Sequence, residues 1–513
     1  MTPGLGTGGL PTATGGSTGT GGTSGGASGG TTATGGTATT GGTTGGASTS
    51  TGGTTSLGGT ATGGSTLTGG TPATTGGSTG TGGTKSATGG SSAAGSVATG
   101  GTVGSGGSAG ATATGGTPSG GGAGPGSCGT EDCGTACTVP SLPAFSALTA
   151  NEKLPDPFKM LSGARISSKS QWQCRRSEIS AQIQNYEAGK KNPKPPGAVT
   201  GSFSGSTLTI NVGGKSFTVS VTLPSGNGPF PAIIGLDGIS LPGSFTGVAK
   251  ITFDTNKMGN QSGSRGTGFF YDVTGDNSVG ALMAWAWGVS RVIDALEVTP
   301  AAKIDPKRIA ITGCSRNGKG ALMVGAFDER IALTIPQESG SGGVALWRTS
   351  YAEDASFGGT AGSHKVQTMD SAYSEQPWFG TALQQFTSAT NANKLPFDHH
   401  ELLAMVAPRG LLILDNTDYQ WLGVNSVATG AAAVQPVYQA LGVPDNVGFA
   451  NSGHSHCSPN SAEGAYVNAF VQKFLLGQNT STKVWNVSKQ AYGSSTATVD
   501  KAKWIDWTTP TLD

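Results

Sequence analysis

The sequence predicts a three-layer α/β domain, a mostly parallel β-sheet between helices, preceded by a long disordered tail. Three observations predict it. From about Cys137 onward, apolar strand-like runs alternate with helical patterns. One of those runs, Arg308 to Thr312, passes into Gly313-Cys314-Ser315-Arg316-Asn317-Gly318 and then into a small-residue helical pattern, the order strand, sharp turn, helix. Residues 1 to 127 are almost wholly Gly, Thr, Ser and Ala, with a single lysine (Lys85) and no aromatic residue.

That first tract, in which TGG and TGGT recur irregularly, cannot bury enough apolar surface to offset its ordering entropy, so disorder is expected. A flexible chain of this length spans roughly 60 Å on average. It reads as a tether, with a surface-coating tract as the rival. Residues 128 to 513 hold all nine tryptophans and are expected to form one catalytic domain, a size that large α/β domains reach as a single unit. The formal net charge is +1 and no basic patch stands out, so nucleic acid is not an expected partner. No apolar run approaches the ~18 residues of a membrane span. Met-Thr-Pro-Gly-Leu-Gly has neither a basic n-region nor an apolar core, so no leader is expected in this chain.

The elements follow in order. Leu208, Ile210 and Val212 alternate with polar residues, as do Phe217, Val219 and Val221, and Gly213-Gly214 between them signals a hairpin. Pro231 to Gly238 reads as a short buried strand ending in glycine. Leu282, Trp285, Val289, Val292 and Leu296 fall at helical spacing within Val279 to Val298. Asp305-Pro306 predicts a turn before the strand Arg308 to Thr312. Ile331 to Pro336 and Gly410 to Asp415 read as further buried strands, and Ala462 to Leu476 as a closing helix. In such sheets functional sites form at the carboxyl ends of the strands.

The turn after Thr312 is where chemistry is expected. A nucleophile elbow lifts a serine hydroxyl above the end of a parallel sheet and aims backbone N–H groups at the same spot. The usual pattern is G-x-S-x-G; here the second glycine, Gly318, comes one residue later. The fold expected is therefore an α/β-hydrolase, in which the chain order is Ser, acid, His. Glu338 directly follows IALTIPQ, while Asp415 and Asp418 follow GLLILD, where many such hydrolases place their acid. The mechanism needs a base near the serine and a carboxylate to fix its tautomer. Of the five histidines, His399 and His400 precede a helix and read as capping or packing residues. His454 and His456 lie in the last loop before the closing helix and are the better bases.

Six cysteines without a C-x-x-C pattern, and histidines without metal-ligand spacing, predict no metal and no cofactor. An even count beside a Gly/Thr/Ser tract suits a secreted, oxidised protein.

GCSRNGKGA, the QESGSGG segment around Glu338, DHHELLAMVAPRGLL and GHSHCSP together resemble the glucuronoyl esterases. These are carbohydrate esterases with an α/β-hydrolase fold and a Ser–Glu–His triad. The resemblance runs from about Cys137 to Leu476 and beyond; the tail is outside it. It implies Ser315 as nucleophile and Glu338 as acid. It implies His456 as base, because the family histidine directly precedes a cysteine. It implies Arg316 as the oxyanion-stabilising arginine, Lys319, Gln367 and Glu375 as sugar contacts, and Trp421 as an aromatic wall. The implied substrate is the ester joining (4-O-methyl-)D-glucuronic acid of glucuronoxylan to lignin alcohols. The implied protein is secreted; apart from the resemblance, a monomer is expected, tethered at most through its tail. Residue chemistry is compatible with these roles. Ser315 and Lys319, four apart, share a helix face. Arg316 puts a fixed charge where an oxyanion develops. Gln367 and Glu375 are ordinary loop residues on sequence alone.

Cys314 precedes Ser315 and Cys457 follows His456, so a hydrogen-bonded Ser–His pair would bring the two cysteines within disulfide reach; the family has a cystine there as well. By elimination Cys137 is expected to pair with Cys174, and Cys128 with Cys133 if that tight loop permits. Some relatives carry a third cystine within the domain; here Cys128 and Cys133 lie at the junction with the tail, so no obvious third pair exists within the fold. Two other function classes are weighed: another esterase on this fold, such as an acetyl-xylan esterase, and a non-catalytic carbohydrate-binding surface protein.

Overall fold

The computed structural model describes residues 129–487 and 498–513. The tail expected over 1 to 127, and Cys128, lie outside those residues. The described residues form a ten-stranded sheet. In chain order the strands are β1 (Thr200–Ser204), β2 (Thr207–Val212), β3 (Lys215–Thr222), β4 (Phe230–Leu236), β5 (Ala249–Phe253), β6 (Ile304–Cys314), β7 (Ile331–Gln337), β8 (Gly410–Asn416), β9 (Val447–Ser452) and β10 (Trp485–Asn486). Their spatial order is β1-β2-β3-β5-β4-β6-β7-β8-β9-β10. The pairs β1/β2, β2/β3 and β3/β5 are antiparallel, and every pairing from β5/β4 to β9/β10 is parallel.

The central strands are apolar almost without interruption because both faces are covered. On one face Ile234, Ile311, Leu411, Ile413 and Phe449 pack with the helices Ala281–Glu297, Arg316–Phe327 and Val424–Ala440. On the other, Ile233, Ala310, Leu333, Ile335, Leu412 and Leu414 pack with the helix Gly464–Phe474. Neighbouring residues thus serve opposite layers, as the two-residue period of a strand requires. Trp285 and Gly320 show how closely the helices approach: a β-carbon on Gly320 would lie 2.6 Å from the Trp285 ring.

The hairpin turn falls at Gly213-Gly214, both with positive φ (+59° and +74°), between the paired Val212 and Lys215. The turn expected at Asp305-Pro306 is not a break. β6 begins at Ile304 and runs through it, with a register shift against β4 taking up the irregularity. Proline is tolerated at such a strand start. No described helix is long and apolar enough to cross a membrane.

Candidate active site

Ser315 sits between the end of β6 and the helix Arg316–Phe327, with φ +59° and ψ −127°. A side chain in that conformation is strained, and the surrounding contacts hold it. The Ser315 N–H donates to Gln337 O at 3.0 Å, tying the turn to the neighbouring strand. The Ser315 carbonyl accepts from Gly318 N–H and Lys319 N–H at 2.8 and 3.1 Å, starting the helix. The two glycines are steric requirements. A β-carbon on Gly313 would lie 2.3 Å from Asn317 O, and one on Gly318 would lie 2.4 Å from Gln337 O. The spacing G-x-S-x-x-G is therefore set by contact with β7 one residue further on.

Glu338 follows β7 directly, has φ +45°, and is buried. Its N–H donates to Leu414 O at 2.9 Å. Three donors converge on its carboxylate: His456 Nδ1 at 2.7 Å and Asn416 Nδ2 at 3.1 Å on Oε2, and Cys457 N–H at 3.0 Å on Oε1. A carboxylate accepting from Nδ1 fixes the proton there and leaves Nε2 as the basic nitrogen. The His456 N–H donates to the Tyr419 hydroxyl at 3.0 Å. His454 Nδ1 lies farther off, 3.7 Å from Glu338 Oε1. Of the rival acids, Asp418 lies over Gly453, where a β-carbon would come within 2.4 Å of its Oδ1. Asp415 is buried with neither carboxylate oxygen in a hydrogen bond. Burial, and then the charge of Glu338, push its carboxyl well above the usual range.

Disulfides join Cys314 to Cys457 and Cys137 to Cys174, with Cα–Cα distances of 5.7 and 5.3 Å. The first ties the turn at Ser315 to the loop that carries His456. Its two sulfurs lie within 4.8 Å of ligand atoms of Glu338 and His456. Bonded to each other they offer no thiolate, so the grouping makes no metal centre. The pairing expected of Cys128 involves a residue outside those described.

Beside Ser315 opens a cavity of about 340 Å³, lined by Arg316, Lys319, His364, Gln367, Glu375 and Trp421 among others. Arg316 is exposed at its rim. Lys319 is buried; its Nζ donates to Ser339 O (2.5 Å), Ser341 O (2.7 Å) and Gln367 Oε1 (2.8 Å) and lies 5.5 Å above the Trp378 ring. The glycine-rich loop after Glu338 supplies those carbonyls, with Gly340 and Gly342 at φ +57° and +80°. Burial pulls the Lys319 pKa down to about 7, against the attraction of Glu375. Three acceptors call for three N–H bonds, which only the ammonium provides. Gln367 Nε2 donates to Glu375 Oε2 at 2.7 Å, so Lys319, Gln367 and Glu375 form one chain of hydrogen bonds along the wall. Trp421 is 40% exposed, with its ring 4.8 Å from that of His456 at 78°.

Sequence reasoning passes over Asn416, Tyr419, His364 and Trp378. Asn416 carries a readable signal, a polar residue ending an apolar strand beside the rival acid Asp415; the others are placed by tertiary contact. His399 is buried, its Nε2 at 3.0 Å from Glu187 Oε1, and the cap of its helix is Asp398.

A family profile described as "Glucuronyl esterase, fungi" matches residues 208–442. The curated 4-O-methyl-glucuronoyl methylesterase of Hypocrea jecorina is 47% identical over 384 residues, covering 73% of this chain and 79% of its own. That of Schizophyllum commune is 46% identical over 395 residues, covering 75% and 95%. Among solved structures, the glucuronoyl esterase catalytic domain of Hypocrea jecorina shares 46% identity at a TM-score of 0.67, covering 72% of this chain and all of that one. A Sporotrichum thermophile glucuronoyl esterase in complex with methyl 4-O-methyl-β-D-glucopyranuronate shares 42% identity at a TM-score of 0.67, covering 74% of this chain and all of that one.

Proposed function

This chain belongs to the glucuronoyl esterase family, and from that premise we propose that it hydrolyses the ester between (4-O-methyl-)D-glucuronic acid of glucuronoxylan and lignin alcohols. It is a carboxylic ester hydrolase. In this reading Ser315 Oγ attacks the uronate carbonyl while its proton passes to His456 Nε2. The oxygen that takes on negative charge faces Arg316, both its guanidinium and its backbone N–H. The C–O bond to the alcohol breaks, and the alcohol leaves with the proton from His456. Water then attacks the acyl-enzyme on Ser315 with His456 again as base, releasing the free uronate. Glu338 holds the Nδ1–H tautomer throughout. Lys319, Gln367, Glu375 and Trp421 hold the sugar ring.

The observation that carries this reading is the His456–Glu338 hydrogen bond of 2.7 Å on a loop bonded covalently to the residue before Ser315. The charged and amide groups on the cavity wall favour a uronate over an acetyl ester, because deacetylation needs no sugar-acid pocket. The cystines favour a secreted protein, with residues 1 to 127 as its tether.

The deciding experiment assays the purified protein on benzyl glucuronate and on acetylated xylan. Turnover of the first, lost in Ser315→Ala by at least about a thousandfold, is expected. Acetate release with no glucuronate turnover would favour an acetyl-xylan esterase. Turnover of neither would favour a binding protein.

A further inference from the structure

His364 lies on the cavity wall, outside the residues assigned to chemistry or sugar contact. Its imidazole is 14% exposed and both ring nitrogens are taken: Nδ1 lies 2.9 Å from Asp354 Oδ2, and Nε2 lies 2.9 Å from Asp370 Oδ2. An ionised carboxylate only accepts hydrogen bonds, so with both aspartates ionised each takes a ring N–H and the two contacts fit an imidazolium. The two aspartates come from different helices, Asp354 from Trp347–Ser356 and Asp370 from Met369–Glu375.

The loop between these helices carries Gln367. Asp354 Oδ1 accepts from the N–H groups of Lys365 and Val366 at 2.6 and 2.9 Å. Asp370 Oδ1 accepts from Thr368 Oγ1 at 2.6 Å and from the Tyr351 hydroxyl at 2.9 Å. Thr368 caps the second helix and its Oγ1 is also 3.3 Å from His364 Nδ1. The other charged groups around the loop are Lys365, beside His364 in the chain, and Arg316, Lys319 and Glu375 across the shared cavity. Both ends of the 364–368 segment are thus fastened to carboxylates that the imidazolium bridges. Gln367, between them, meets Lys319 on one side and Glu375 on the other.

We propose that His364 is a positioning residue for uronate binding: its imidazolium, bridging Asp354 and Asp370, holds the 364–368 loop so that Gln367 meets the sugar, and binding weakens when that proton is lost. The inference rests on reading this cavity as the uronate site. Burial pulls the His364 pKa down, but hydrogen bonding and charge from the two aspartates outweigh it, and the net direction is up from the ordinary value. A group raised in this way contributes fully at pH below its unfolded pKa, and the contribution is lost as pH rises through the folded value. The effect therefore falls on the alkaline side and on KM.

Two measurements test it on the full chain. Ring 15N spectra of histidine-labelled protein, with the His364 signal identified by its absence in His364→Gln, are expected to show both nitrogens protonated at neutral pH. A singly protonated His364 ring at pH ~6, below the ordinary histidine value, would overturn the proposal. On methyl glucuronate, His364→Gln is expected to raise KM about fivefold with kcat within about twofold, because the lost contact acts on ground-state and transition-state binding alike. The wild-type KM is expected to rise with pH as the His364 signal titrates, and that component should be missing from the variant, which keeps whatever Lys319 contributes. An unchanged KM in a variant that still hydrolyses the ester would overturn this inference alone; absence of turnover in the wild type would overturn the functional reading instead. Asp370→Asn, which keeps the loop sequence, is expected to raise KM in the same sense if His364→Gln does not fold, and an unchanged KM there would equally sink the idea.

Discussion

Cys314 and Cys457 are bonded across 143 residues of chain, and each is the immediate neighbour of a proposed triad member, Ser315 on one side and His456 on the other. The base loop is therefore held at both His456, through Glu338, and Cys457, through the elbow. Closing a loop of that length removes denatured-state entropy worth roughly 4–5 kcal/mol in the chain-entropy model. Replacing both cysteines by alanine is expected to lower Tm by several degrees and kcat by more than tenfold, since the base is no longer preorganised. A double variant with wild-type kcat would show that the hydrogen bonds from Glu338, Asn416 and Tyr419 suffice to hold the loop without the disulfide.

The two histidines of that loop are expected to differ sharply. His456→Ala removes the ring bonded to Glu338 and should reduce kcat by about a thousandfold or more. His454→Ala should stay within about a factor of ten, because Asn416 bonds the His454 backbone carbonyl at 2.8 Å and the alanine retains it. Measuring kcat for both variants checks this, and a reversed order would assign the base to His454.

How much of this was legible in the sequence depends on where the determining contacts lie. β4, β6, β7 and β8 could be read because burial on both faces leaves an unbroken apolar run. β9 could not, since Gly448, Asn451 and Ser452 dilute its pattern and its strand character comes from pairing with β8. The elbow was readable as strand, turn and helix, although the reason for its late glycine, Gln337 O against Gly318, lies on another strand. Glu338 and Asp418 follow apolar strands and Asp415 lies at the end of one, and chain order alone left all three open. The three carboxylates differ in what they touch, and only that of Glu338 meets His456 Nδ1 among the described residues. Gln367 and Glu375 carried no local signal, because their alignment with Lys319 is made by a loop folding back across the cavity.

Asp415 offers a test in pH. Its carboxyl has no hydrogen-bond partner, and burial and the nearby Glu338 charge raise its pKa well above the usual value. Unfolded, an aspartate titrates near ~3.9. A raised folded pKa means the native state binds the proton more tightly, so stability is lost as pH climbs from about 4 through the folded pKa. Glu353 acts in the same sense, raised by burial to about 7 against the N–H groups of Asn425 and Ser426. Asp415→Asn keeps the shape and cannot ionise. It is expected to raise Tm relative to wild type at ~pH 8 by more than at ~pH 5. A Tm difference independent of pH would show that Asp415 does not change its protonation on unfolding.

Trp421 lies between the proposed sugar wall and the proposed base. It is the exposed wall of the cavity and its ring meets the edge of His456 at 4.8 Å, while Tyr419 meets the same imidazole at 5.4 Å. Its backbone carbonyl also accepts from the Gln367 N–H at 2.9 Å, so the residue touches both the 364–368 loop and the loop that carries His456. Trp421→Ala removes an apolar face for a pyranose ring and a packing partner of the imidazole together. KM is expected to rise about tenfold and kcat to fall about threefold, since aromatic contacts of this kind are worth of order 1 kcal/mol each. Trp421→Phe keeps an aromatic ring in both places and should recover most of kcat while leaving KM raised. If Trp421→Ala raised KM with no change in kcat, the contact with His456 would be shown to play no part in positioning the base.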